Sequence, residues 1–454
     1  MPNEAAVIRA EKHVTQENIL RKDDFKAEMS MSTAASWDGE ESNHYKSFAD
    51  LNREAAALKP LVKTRSDQLT TTGDHNVKVN TKMMSLGLSN LLNGPSILAK
   101  TLSGRSVMTV TKRPLRKDNF TAEPRWDFEE DYSLDPSSTQ TSCPISVKIK
   151  ALNSSWLKEL VLPKVTIFMD RHHWSHKEWK RLGHFIPPYG WMELNYTVVK
   201  AVVSALPLLS KQQILLVNSS TDHRCVSCAV IGNGGILNGS RLGKEIDSHD
   251  YVFRVNGAVV EGYEDDVGKR TSFYGFTAFT MLSSLYLLKN NGFSKIPMDK
   301  ETKYILFTEG MRDYEWLKAL QQNKEISKGT LEYYRLRPRD DFGASFDLKR
   351  LLVAHPDFMR YLKNRFLRSE LLDGKYWNLY RPSTGALVLL TALHLCDTVS
   401  AYGFMTDDYT RYSDHYYDKN KLKMTLYINH DFLLERDLWR RLNNENIIKL
   451  YKRT

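Results

Sequence analysis

An apolar run that stops at a cluster of glycines constrains this chain more than any other feature. Cys228-Ala229-Val230-Ile231 has the length and character of a buried strand, and it ends at Gly232-Asn233-Gly234-Gly235. Glycines just past a strand let backbone amides approach a ligand closely, which suits a phosphate. Helical spacing returns after the loop, and Tyr251-Val252-Phe253-Arg254-Val255-Asn256 reads as a second strand. The glycine spacing departs from the dinucleotide fingerprint and no Gly-Lys-Ser/Thr follows, so the loop alone fits a nucleotide cradle and a plain structural turn equally well.

The rest of the chain supports an α/β reading. Segments 160–169, 213–217, 304–307 and 399–404 have strand character, whereas 192–206, 314–322 and 387–396 have helical spacing. Alternation of this kind predicts a mostly parallel sheet with helices on both faces. Order is expected from Trp126-Asp127-Phe128 onward, giving a domain over 126–454. Residues 1–125 are polar without a sustained apolar period and read as a flexible stem, with an apolar patch at 83–102 that suits a short helix or a linker.

At 454 residues and a net charge of +10, the chain favours anions in general. It shows no nucleic-acid motif and no long basic run. The most apolar window, 198–209, contains Lys200 and Pro207 and falls short of the roughly 18 residues a membrane span requires. The polar start Met1-Pro2-Asn3-Glu4 does not read as a signal peptide. Four cysteines, Cys143, Cys225, Cys228 and Cys396, and Asn-x-Ser/Thr triplets at Asn119, Asn153, Asn195, Asn218 and Asn238 point to an oxidising lumen. Cys225-x-x-Cys228 lacks the second pair that a zinc site needs, and four cysteines alone allow three pairings.

Three further segments carry candidate chemistry. In Tyr380-Arg381-Pro382-Ser383-Thr384-Gly385, hydroxyls and free amides gather at the start of an apolar helix, which makes an anion site as readily as an ordinary cap. His415-Tyr416-Tyr417-Asp418 places an imidazole in a tyrosine-rich segment. In Asn429-His430-Asp431-Phe432-Leu433-Leu434-Glu435, the spacing of Leu434, Leu438 and Leu442 makes Asp431 a helix cap. His430 then precedes the cap and meets Glu435 one turn on. The helix end lowers its pKa and the carboxylate raises it, so it is expected to titrate near neutrality, as a general base should. The residues alone favour a capping histidine in a structural His430–Glu435 salt bridge.

Together these segments resemble, in order, the large, small, third and very small motifs of the eukaryotic sialyltransferases, and within them the α-N-acetylgalactosaminide α-2,6 branch of types 1 and 2. The resemblance covers about residue 126 to the C-terminus. It implies a Rossmann-like variant of the GT-A glycosyltransferase fold, with CMP-sialic acid as donor substrate and no further cofactor. It implies transfer to O6 of GalNAc on Ser or Thr of glycoproteins, with inversion and without metal, since no Asp-x-Asp occurs. Asn233, Asn256, Ser383, Thr384 and Gly385 match donor-binding positions, His415 the group that meets the leaving phosphate, and His430 the base. Disulfides Cys228–Cys396 and Cys143–Cys225 are implied. So is a Golgi protein held by an N-terminal anchor, for which no segment of this sequence is expected to serve. An α-2,3 or α-2,8 transferase and an inactive sialoglycan-binding protein are the alternatives.

Overall fold

The computed structural model describes residues 99–102, 105–108, 114–136, 141–215, 225–326, 331, 337–343 and 346–453. Most of the expected stem therefore lies outside the described residues, as do 83–98 of the apolar patch and the sequon Asn218. Strands β1 (Ala99–Leu102) and β2 (Arg105–Met108) pair as an antiparallel hairpin, so the end of that patch is a strand and not a helix. Packing starts ahead of Trp126: Leu115 and Phe120 lie against the core, and the Phe120 carbonyl accepts from Trp377 Nε1 at 3.3 Å.

The remaining strands are β3 (Phe168–Met169), β4 (Ser227–Ile231), β5 (Tyr251–Val255), β6 (Phe273–Phe276), β7 (Lys303–Leu306), β8 (Leu351–Ala354), β9 (Thr398–Tyr402) and β10 (Lys449–Leu450). Among the described residues they form one sheet in the order β10-β9-β4-β5-β6-β7-β8-β3, parallel except for β3 against β8. Both faces are covered. Cys228 and Val230 enter one apolar cluster with Phe253, Phe273 and Ile305, while Ala229 and Ile231 enter the other with Val252, Tyr274 and Tyr304. Successive side chains point to opposite faces, so a strand buried on both reads as a continuous apolar run.

Helices α1 (Tyr196–Ser204), α2 (Ala278–Leu287) and α3 (Met311–Gln322) contribute to the second cluster. The first holds α4 (Thr384–Leu395) and α5 (Phe432–Asn444). Every residue of α4 from Ala386 to Leu395 is buried, as expected of a helix apolar on all sides. Cys228 is bonded to Cys396 and Cys143 to Cys225, so β4 is covalently tied to the end of α4.

Two expected strands are corrected. Only Phe168–Met169 of 160–169 is a strand, and the described part of 213–217 is not one. The amides of Ile167 and Phe168 donate instead to Gln212 Oε1 at 3.0 and 2.7 Å, and Gln212 Nε2 returns a bond to the Phe168 carbonyl. A side chain thus supplies the partners that a further strand would have provided.

Candidate active site

The order of the sheet places a crevice at the carboxyl ends of β4 and β9, because the chain runs from β4 towards β5 and from β9 towards β10 on the other side. Ligands of open α/β sheets bind at such switch points. The two strand ends are laced together: Gly232 N–H donates to the Tyr402 carbonyl at 2.8 Å and Gly234 N–H to the Gly403 carbonyl at 3.0 Å. A Cβ on Gly232 would lie 2.6 Å from the Gly403 oxygen, and Gly403 itself has φ +71°, so the close approach needs glycine at both positions. A cleft of about 430 Å³ opens here, lined by all seven residues expected from the sequence: Asn233, Asn256, Ser383, Thr384, Gly385, His415 and His430.

Asn233 and Asn256 follow β4 and β5. Asn233 Nδ2 donates to the Asn256 carbonyl at 2.8 Å, while its Oδ1 is buried with no hydrogen-bond partner among the described residues. A buried carbonyl oxygen facing a cleft is suited to accept from a ligand hydroxyl or amine. The glycine loop is also joined to the His415 segment. Gly234 and His415 form an antiparallel bridge, Tyr416 N–H donates to the Asn233 carbonyl at 3.0 Å, and Asn238 Nδ2 donates to the Tyr416 carbonyl at 2.7 Å.

Ser383 caps α4, its hydroxyl accepting from Ala386 N–H at 3.1 Å. The amides of Thr384 and Gly385 fall in the first turn, where no helical carbonyl can serve them, and they are the donors left for an anion. The Ser383 hydroxyl is less available than the sequence suggests. It donates to Glu435 Oε2 at 2.7 Å, and its N–H donates to Glu435 Oε1 at 2.7 Å.

His415 is partly exposed, and its ring stacks on Tyr417 with centroids 5.0 Å apart. Its Nδ1 lies 3.7 Å from Asp418 Oδ1 and 3.9 Å from Asp414 Oδ2. Asp418 closes the turn by accepting the His415 N–H at 2.7 Å and the Ser413 hydroxyl at 2.8 Å.

His430 departs from expectation in its partner and its charge. Asp431 caps α5 as the spacing predicts, accepting from Leu434 N–H at 3.1 Å. Glu435 turns instead to Ser383, which offers it two donors. The Nδ1 of His430 lies 2.8 Å from the Arg381 carbonyl, which can only accept, so Nδ1 carries the proton and Nε2 keeps its lone pair. Burial, followed by the Arg381 charge, holds its pKa at about 4, not near neutrality. Glu435, by contrast, is pushed up to about 7 by burial, which outweighs its two bonds from Ser383.

Glu309 is a cleft residue that escaped the sequence reading. It stands just past β7, its carboxylate paired with Arg381 Nε and with Arg312 Nη2, each at 2.8 Å. Burial opposes its ionisation, but Arg381 and Arg312 outweigh it and hold the pKa low. An acid two positions after the apolar run 304–307 was the available signal, since sites in such sheets gather at carboxyl ends of strands.

The family model described as glycosyltransferase family 29 (sialyltransferase) matches residues 168–447. The chain belongs to glycosyltransferase family 29. It is 58% identical over 348 residues to alpha-N-acetylgalactosaminide alpha-2,6-sialyltransferase 1 of Gallus gallus, covering 76% of this chain and 62% of that protein. The identity is 55% over 350 residues with the Homo sapiens protein of the same name, covering 77% and 58%. With Homo sapiens alpha-N-acetylgalactosaminide alpha-2,6-sialyltransferase 2 it is 45% over 275 residues, covering 61% and 73%. The chain thus spans about three fifths of the length of the first two relatives. A crystal structure of a mammalian sialyltransferase matches with a TM-score of 0.50 at 24% identity, covering 70% of this chain and 100% of that one, and shows the shared fold.

Proposed function

We propose that this chain transfers sialic acid from CMP-sialic acid to O6 of GalNAc linked to Ser or Thr of glycoproteins, with inversion and without metal. The observation that carries the reading is His430, whose Nδ1–H is committed to the Arg381 carbonyl, leaving an unprotonated Nε2 in the same cleft as the glycine loop and His415. The names of the relatives support the acceptor and the linkage.

In this mechanism His430 Nε2 takes the proton of the acceptor O6–H as that oxygen attacks the anomeric carbon of the donor. The bond from that carbon to the phosphate oxygen breaks, and its electron pair leaves on CMP. Attack opposite the departing phosphate inverts the centre. His415 and the first amides of α4 meet the charge that develops on the phosphate. Asn233 and Asn256 hold the nucleoside. The site of action would be the Golgi lumen, where disulfides persist. Among the described residues no helix is long and apolar enough to cross a membrane.

The test is an assay of a GalNAc-peptide beside a galactosyl acceptor, with linkage analysis of the product. Transfer to O6 of GalNAc is expected. Turnover on the galactosyl acceptor alone would favour an α-2,3 or α-2,8 enzyme, and binding of sialoglycans without turnover a lectin-like protein.

A further inference from the structure

We infer that Glu309 and Phe279 form the subsite that holds the acceptor sugar beside His430, an assignment that rests on the transfer reaction proposed above. The parts suited to a nucleotide gather at the ends of β4, β5 and β9. Phe279 and Glu309 follow β6 and β7, one and two strands beyond β5, which at sheet spacing displaces them by roughly 5–10 Å. They line the same cleft. Arg381 stands between the halves: its carbonyl accepts from His430, and its guanidinium pairs with Glu309. The Glu309 carboxylate is near enough to act on the charge of His430.

The chemistry of this half suits a neutral sugar. An ionised carboxylate offers only acceptors, about four lone-pair positions, and the two arginines approach one oxygen each. What remains must be met by donors, such as sugar hydroxyls and an acetamido N–H. Phe279 adds an aromatic surface for the C–H face of a pyranose, and Arg312 sits 4.6 Å from its ring centroid. The two residues are also fixed relative to each other. Buried Asp313 accepts from Ala278 N–H at 2.9 Å and from Glu309 N–H at 3.1 Å, clamping the start of α2 to the end of β7. A subsite held this way is organised before the ligand arrives.

The experiment compares the full chain with Glu309→Gln and Phe279→Leu, measuring initial rates against GalNAc-peptide at saturating CMP-sialic acid, CMP affinity by calorimetry, and melting temperature. Each variant is expected to raise the acceptor KM about tenfold while CMP affinity stays at the wild-type value. An unchanged acceptor KM, or a fall in kcat alone, overturns the assignment. Should Glu309→Gln fail to fold, Phe279→Leu carries the same test. If the wild type uses a galactosyl acceptor and ignores GalNAc, the proposed acceptor is wrong, and the same KM comparison on galactose judges the subsite by itself. A wild type that transfers to neither overturns both.

Discussion

Glu435 holds Ser383 by two bonds of 2.7 Å, one from its amide and one from its hydroxyl, so the acid of α5 grips the residue that caps α4, in the turn proposed to bind the donor phosphate. Two motifs separated by 52 positions in sequence are joined through this contact. It also places a titratable carboxylate beside the amides that would hold a phosphate.

Because burial raises Glu435 to about 7, the folded protein binds this proton more tightly than the unfolded chain does. The resulting stabilisation is fully present below the ordinary carboxylate range and is lost as pH rises through about 7. The same ionisation puts a negative charge next to the proposed phosphate site. Affinity for a non-transferable CMP-sialic acid analogue should therefore strengthen several-fold as pH falls from 8.5 to 5.5, since its phosphodiester does not titrate there. Glu435→Gln should flatten the profile. Calorimetry at stepped pH checks this, and a flat wild-type profile would count against it.

Replacing His430 with Ala should lower kcat by roughly 10²–10⁴-fold, with CMP affinity near that of the wild type. With its pKa held at about 4, the ring is neutral throughout pH 5–8, as the proposed base must be. An acidic limb near 6.5 in kcat/KM would then belong to another group. Full activity in the variant would refute the base assignment.

His415→Ala should cost about 10²–10³-fold in kcat, the usual effect of losing one donor to developing charge. His415→Gln keeps an N–H donor and should recover part of that loss. Single-turnover rates with CMP-sialic acid separate the two variants.

At Gly235 any side chain meets the Ser413 backbone, which belongs to the His415 segment. Gly235→Ala is expected to push that segment off the glycine loop and to weaken CMP binding at least tenfold, or about 1.4 kcal/mol. Unchanged binding by calorimetry would show that the two segments need not touch.

Removing the Cys228–Cys396 bridge should lower stability by about 2–5 kcal/mol, and it should reduce CMP affinity as well, because β4 and α4 both feed the proposed donor site. Paired serine variants and a denaturant titration read the first effect, calorimetry the second.

The strand Cys228–Ile231, the glycine turn and the apolar helix after Ser383 were legible in the residues because their causes are local. A run buried on both faces must be continuous, a close backbone approach must use glycine, and a helix apolar all round must be buried. The four family motifs could likewise be recognised in order along the chain. The shortness of the edge strand at Phe168, which pairs with β8 on one side, was not legible in the run 160–169, since the partners on its other side come from the side chain of Gln212, more than forty positions away.

The partners of Glu435, the proton of His430 and the place of Glu309 belong to the tertiary structure alone. Local spacing brings Glu435 within reach of His430, but a carboxylate goes to the better donors, and Ser383 offers two. Which imidazole nitrogen keeps its lone pair depends on the Arg381 carbonyl, 49 positions away. Hydrogen bonding and desolvation are decided by what surrounds a group in space, so the sequence names the actors while the fold assigns their charge states.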